Sequence, residues 1–156
     1  MANSASTGKI SRPPVSFIFQ LSFGGKEDTA KVGFQEASGI SKDMNIEEVV
    51  CGGENRFKYR LPGVVKYNNL ILKRGLATKG SLLSKWVVQT LDPGLMYPIK
   101  TKDITVALLN SHRDIIISWD FINAYPVKWE VSNFKSTESE VAIESLEFAY
   151  NFFKKN

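Results

Sequence analysis

Asn123-Ala-Tyr-Pro-Val-Lys-Trp129, followed a short distance on by Glu140-Val-Ala-Ile-Glu-Ser-Leu-Glu147, decides how this chain is read. Neither segment looks catalytic. Each reads as a strand that begins or ends at a fixed place in an antiparallel sheet. Val127, Trp129 and Val131 alternate with Lys128 and Glu130, the period-two pattern of a strand with two unlike faces. Pro126 reads as a strand end and Trp129 as a side chain that needs cover, so Tyr125, Pro126 and Trp129 are expected to form a corner of the core.

Upstream the same period recurs. Phe17, Phe19, Leu21 and Phe23 alternate with Ser16, Ile18, Gln20 and Ser22 after Val15, and these are expected to be core positions of a first strand. Gly24-Gly25 begins a turn, and Val32 to Ala37 returns as a second strand. Met44 to Val50 alternates weakly and mixes charge with aliphatic residues. Cys51-Gly-Gly-Glu-Asn55 breaks regularity, and Phe57, Tyr59 and Leu61 resume alternation before Pro62-Gly63 stops it. Residues 44–61 are therefore expected to form an extended hairpin arm with a glycine tip. Val65 to Lys73 is the next strand. Asp103 to Leu109 and Ile115 to Ile122 flank a hairpin loop at Asn110–Asp114.

One helix is expected, at about residues 78–91. Leu82, Leu83, Trp86, Val87 and Leu91 fall on one face at helical spacing, Thr78 or Ser81 offers an N-cap, and Asp92-Pro93-Gly94 ends it. Trp86 is thus a core candidate. In the last run, Val141 and Ile143 are apolar at odd positions, but Leu146, Phe148, Tyr150 and Phe152 at even ones. A bulge near Glu144–Ser145, or a change of the sheet on which the strand packs, would restore one buried face. The fold class is mainly β: an antiparallel barrel or two-sheet sandwich with one flanking helix. Residues 1–14 read as a flexible leader and 15–156 as a single domain.

With 43% hydrophobic and 12% aromatic residues, the chain is too apolar to be disordered over most of its length. Twenty basic and sixteen acidic side chains give a net charge of +4 with the signs interspersed, which reads as a mixed solvated surface. A nucleic-acid footprint would need a basic stripe, and Lys73-Arg74 with Lys79, or Lys100 with Lys102, do not make one. The single cysteine, Cys51, allows no internal disulfide. The polar N-terminus lacks the parts of a signal peptide, and no apolar run is long enough to span a membrane, so folding in a cytoplasm without a membrane anchor is expected.

The inventory for chemistry is thin. His112 lies in the 110–114 turn beside Ser111 and Asp114, where Asx and Ser residues serve the backbone rather than a triad. Cys51 has no adjoining base, and Glu54 would oppose its ionisation. One cysteine and one histidine cannot supply a zinc site. Gly52-Gly53 lacks the Lys-Ser/Thr of a phosphate loop. Glu138, Glu140 and Glu144 share a strand face and read as a solvated or intersubunit row. No cofactor and no enzymatic activity are expected.

In order, Phe34-Gln-Glu-Ala-Ser-Gly39, Glu47-Glu48, Gly52-Gly53-Glu54-Asn55, Leu61-Pro62-Gly63, Tyr67-Asn-Asn-Leu-Ile-Leu-Lys-Arg-Gly75, the Trp86 helix and the two opening segments resemble the phage tail tube protein family from about Val15 to Phe153. The related Hcp protein of type VI secretion shares that architecture. The chain departs from the family pattern at Cys51, where the arm more often carries a polar or charged residue. The resemblance implies a two-sheet antiparallel barrel with a flanking helix. It further implies hexameric rings stacked into a hollow tube inside a contractile sheath, which drives the tube into a target. The partners it implies are other copies of the chain, the sheath, a baseplate or spike hub, a tail terminator or cap, and lumen cargo such as DNA or an effector protein. In the arm, Met44, Ile46 and Val49 are expected to give apolar contact with a neighbour. Glu47, Glu48 and Arg56 would fix register by charge, with Glu54 and Asn55 at the same surface. The competing reading is a β-barrel binding module for nucleic acid or a small ligand.

Overall fold

A computed structural model describes residues 17–23, 31–53, 55–76, 81–132, 137 and 141–156. The expected leader at 1–14, Val15, the turn after Gly24, Glu54, Thr78, Glu138 and Glu140 lie outside the described residues.

The element order is β1 (Ile18–Phe23), β2 (Val32–Phe34), β3 (Glu36–Ser38), β4 (Lys42–Val49), β5 (Tyr59–Tyr67), β6 (Leu70–Gly75), α1 (Leu82–Leu91), β7 (Lys102–Leu109), β8 (Ile115–Val131), β9 (Ile143–Ala149) and β10 (Phe152–Lys155), with a short 3-10 turn at Gly94–Met96. The fold is mainly β and antiparallel. The main sheet path runs β2-β1-β7-β8-β9-β6-β3, with β10 also on β8, while β4 and β5 form a separate two-stranded sheet. The path is not a flat sheet or a closed barrel. It folds over on itself as a sandwich around one core.

Two bends make this possible. The segment expected to be one strand, Val32–Ala37, is divided at Gln35. Its first half pairs with β1 and its second with β6, and the Gln35 amide donates to the Lys73 carbonyl at 2.9 Å. The second bend lies in β8. Pro126 does not end a strand, as expected from the sequence, because β8 runs unbroken for 17 residues. Asn123 (φ 52) and a register shift between Pro126 and Lys128 absorb the turn instead. Its first half pairs with β7 and β10 and its second half with β9.

The last run keeps one phase past the expected bulge. In β9, Glu144, Leu146 and Phe148 are buried and Ile143 is exposed. The phase changes at Tyr150–Asn151, where the chain leaves β9 for β10 and moves along β8, and the Asn151 amide donates to the Ile122 carbonyl at 3.0 Å. A buried carboxylate holds an alternation that hydrophobicity alone would break.

Leu21, Phe23, Phe34, Leu70, Leu72, Ile104, Val106, Phe121, Leu146 and Phe148 fill the core, and α1 closes it with Leu83, Trp86 and Val87. Trp86 stacks on Phe148 at 5.8 Å and meets Phe23 edge-on at 5.6 Å. These are the offset and T-shaped arrangements that the ring quadrupole favours. Phe17 departs from its expected place: it precedes β1 and is exposed.

The helix begins later than expected. Ser81 is its N-cap, in extended backbone, and its hydroxyl accepts from the Ser84 amide at 3.1 Å. Removing that acceptor leaves an orphan donor in the first turn. Ser81→Ala is expected to cost about 1 kcal/mol, or roughly 2–4 °C in melting temperature. An unchanged melting curve would show that the first turn is satisfied another way.

Candidate assembly interface

The weakly alternating segment becomes an arm. β4 and β5 pair from Lys42↔Tyr67 at the root to Val49↔Tyr59 near the tip, and every residue of β4 is exposed. The arm is longer than the expected 44–61 because Pro62-Gly63 does not stop β5. Both strands of a two-stranded ribbon are edge strands, so a proline can sit without costing a central ladder bond. Register shifts there: Met44 faces Val65 and Ile46 faces Pro62, so β5 spends one residue more than β4. Gly63 sits in this bulge, where a Cβ would come within 3.0 Å of the Asn45 carbonyl oxygen.

The root is fastened. Tyr67 packs edge-on against Phe153 at 5.6 Å and Tyr150 at 6.0 Å, and the Lys42 ammonium lies 4.5 Å above the Phe153 ring. The Asn68 amide donates to the Ser41 hydroxyl at 2.7 Å, and the Tyr150 hydroxyl donates to the Asn68 carbonyl at 2.6 Å. Burial pushes the Tyr150 hydroxyl pKa up to about 12, with a smaller contribution from Tyr67.

Of the interface residues expected from sequence, Met44, Ile46 and Glu48 occupy one face of β4, and Glu47 and Val49 the other. Asn55 and Arg56 lie exposed in the tip connection, and Glu54 is outside the described residues. The Glu48 carboxylate meets the Lys58 ammonium at 3.5 Å. Sequence reading named Phe57, Tyr59 and Leu61 as strand residues but missed them as surface. All three are exposed, as is Val65, and Phe57 packs edge-on against Tyr59 at 5.3 Å. Their alternation with Lys58 and Arg60 carried the signal, but it reads the same for a half-buried core strand.

The corner residues divide. Pro126 is fully buried and Trp86 nearly so, Tyr125 packs partly buried against the core, and the Trp86 indole N–H donates to the Lys100 carbonyl at 2.9 Å. Trp129 does not take the covered place expected of it: it is 51% exposed. It lies near the C-terminal end of β8, where its indole N–H donates to Glu144 Oε1 at 2.7 Å. Glu144 itself is no solvated row member. Its Oε2 accepts from Arg74 Nε at 2.7 Å, with both side chains 8% exposed. The outer sheet face carries exposed pairs instead, Lys73–Glu36 at 3.0 Å and Lys128–Glu130 at 2.9 Å. The Glu130 carboxylate, by hydrogen bond and charge, raises the Lys128 pKa.

A second exposed apolar surface was not foreseen. Leu95, Met96 and Tyr97 project beyond α1, beside a groove of about 410 Å³ that also reaches Trp86, Gln89 and Ile99. No helix of the described residues is long and apolar enough to cross a membrane.

The residues considered for chemistry do not converge. Asn110 Oδ1 accepts from the His112 and Asp114 amides, both at 2.9 Å, so the turn is an Asx cap on its own backbone. Cys51 is exposed and unpaired by any disulfide. Among the described residues no three His, Cys, Asp or Glu side chains gather as a metal site.

Comparison with solved structures returns the same fold over nearly the whole chain. A chain from the anti-feeding prophage baseplate is 24% identical, with a TM-score of 0.72 over 94% of this chain and 97% of that one. A chain from the extended sheath-tube complex of the PVC extracellular contractile injection system is 22% identical, with a TM-score of 0.72 over 98% and 99%. Hcp1 from Flavobacterium johnsoniae is more distant, at 16% identity and a TM-score of 0.52 over 89% and 94%. No curated protein matches the sequence. The family model of the T4-like virus tail tube protein gp19 matches residues 15–154. That match spans the core strands, the arm and the helix, and the chain therefore belongs to the T4-like virus tail tube protein family.

Proposed function

We propose that this protein is the structural subunit of the inner tube of a contractile tail or injection particle. Its copies close into six-membered rings, the rings stack into a hollow conduit, and sheath contraction drives that conduit into a target. The observation that carries this reading is the arm. A ribbon exposed along all of β4, with Met44, Ile46 and Val49 in the open, has no core of its own to rest on. An isolated two-stranded hairpin is marginal in water, and a subunit that repeats along a tube always has a neighbour to cover it.

The chain folds in a cytoplasm and then resides in the particle. Its partners are further copies, the sheath, a baseplate hub and a terminator or cap, with DNA or an effector protein as lumen cargo. Related solved chains come from assemblies described as a sheath-tube complex, a baseplate and a tube terminating cap. The role is architectural, and no turnover is assigned to it.

Negative-stain microscopy of the purified protein over a range of concentrations, with solution mass measured in parallel, tests the reading. Six-fold rings or stacked tubes are expected. A species that stays monomeric at high concentration and binds polynucleotide with a steep salt dependence would favour the binding-module reading instead. Deleting residues 46–54 shortens the arm and leaves the core untouched. That variant is expected to melt within a few degrees of the parent, roughly the effect of surface changes, and to make no tubes. Normal tubes from it would remove the arm from the assembly.

A further inference from the structure

The sandwich has a place, away from the arm, where two strands lie side by side without pairing. Among the described residues β2 pairs only with β1, at one end of the sheet path, and β3 only with β6, at the other. The Gln35 amide on the Lys73 carbonyl joins the two ends, and past it no ladder links β2 to β6. A cleft of about 820 Å³ opens there, walled by Lys31, Gly33, Phe34, Arg74, Gly75 and Ser81 among others. Its size falls within the roughly 300–1,000 Å³ of ligand sites. The wall carries free backbone. Successive residues of an extended strand turn their N–H and C=O groups to opposite edges. The Leu76 amide donates to the Ala142 carbonyl on the β9 side, so the Gly75 groups point the other way, toward β2. Glycines stand on both lips. Neither Gly33 nor Gly75 has a left-handed φ, and a Cβ would meet only an Ile18 methyl at 4.0 Å or a Val141 methyl at 3.8 Å, ordinary contact distances. The fold of one copy gives no steric reason for glycine at either lip, and glycine in a strand also marks the close approach of another backbone.

The charge of the cleft selects what enters. Arg74 is 7% exposed, and Glu144 and the Trp129 indole share the carboxylate that holds its Nε. Arg74 Nη2 is buried with no acceptor among the described residues. An unmet guanidinium donor is best satisfied by an anionic oxygen, and the exposed Lys31 adds a second positive charge to the wall. We propose that the cleft between β2 and β6 is a docking slot for an extended, acidic segment of a partner protein. The backbone of that segment pairs with the free edges at Gly75 and β2, as in strand addition to a sheet edge. Its inward side chain brings a carboxylate to Arg74 Nη2, and its outward side chains lie over the two glycines. The leader of this chain is the wrong occupant: residues 1–14 carry Lys9 and Arg12 and no acidic side chain. An inorganic anion would meet the arginine but leave both strand edges unpaired. The slot does not depend on ring formation and stands apart from the tube reading.

Fluorescence anisotropy on the full chain in dilute solution tests this, with a labelled peptide Thr-Val-Glu-Val-Thr blocked at both ends and with its Gln analogue. The Glu peptide is expected to bind at least about tenfold more tightly, the effect of a hydrogen bond between charged groups. Hydrogen exchange should slow at the Gly75 amide when that peptide is bound, which a purely electrostatic contact would not achieve. Lys31→Glu is expected to weaken binding several-fold with an unchanged melting curve. Arg74→Met combined with Glu144→Leu, which removes both buried charges together, is expected to bind the two peptides equally. No binding, equal affinity of the two peptides for the parent, or a preference that survives the double variant would overturn the slot. Displacement by inorganic phosphate with no protection at Gly75 would reduce it to an anion pocket and overturn strand docking. A large gain in affinity on removing residues 1–14 would make the leader the occupant and overturn the partner segment.

Discussion

Glu144→Ala is expected to lower the free energy of unfolding by about 3–5 kcal/mol, the usual result of removing one partner of a buried ion pair. The carboxylate accepts from two donors at 2.7 Å, Arg74 Nε and the Trp129 indole. Without it the Arg74 guanidinium stays in the sandwich, with the Phe34 ring 5.4 Å from its central carbon. Among the described residues, Arg74 Nη2 is already buried without a hydrogen-bond acceptor. Urea unfolding of the variant should show a lower midpoint with little change in slope. The pair is costly to break but not costly to replace as a pair. Arg74→Met combined with Glu144→Leu is expected to recover most of the loss, because both desolvation penalties disappear together. A single variant that loses less than about 1 kcal/mol would mean that water reaches the guanidinium once the carboxylate is gone.

Gly39→Ala is expected to cost about 2–5 kcal/mol, from roughly 1–2 kcal/mol for a left-handed backbone and roughly 1–3 kcal/mol for forced displacement. Gly39 has φ 81, and a Cβ built there would lie 1.9 Å from the Asn69 carbonyl oxygen. That oxygen belongs to the residue that launches β6, whose Leu70 and Leu72 are fully buried. Relief would therefore have to move a core strand, not a side chain. Thermal melting should fall by about 10 °C. Gly52→Ala is the control: nothing lies within 4 Å of its Cβ, and a change within about 0.5 kcal/mol is expected. Equal effects at the two positions would refute the close-approach argument.

Local signals in the sequence were readable where the answer is local. The β1 alternation and the stripe of α1, apart from the exposed Phe17 and Leu82 at their starts, and the turn at Asn110–Asp114 depend on neighbours a few residues away. The errors cluster where a distant residue decides. Glu144 looked like a surface acid because its partner is 70 residues away in sequence. The bulge expected beside it was an artefact of reading that acid as outward. Pro126 looked like a stop because a central strand has no use for a proline. In fact the register shift between Pro126 and Lys128 accommodates it in a strand that passes from one sheet to the other. Pro62-Gly63 failed as a stop for the related reason that the arm has two edges and no centre. The arm itself was visible as weak alternation. The extra residue of β5 was not, because a bulge shows only once the partner strand is known.

The long β8 strand has a mechanical corollary. One unbroken backbone borders β7, β10 and β9, so neither half of the sandwich can peel away without disturbing a segment shared with the other. A strand shared in this way leaves no seam along which the two halves could part under load. Hydrogen exchange should accordingly show amides on both sides of Asn123 opening together, at the rate of global unfolding rather than in two stages.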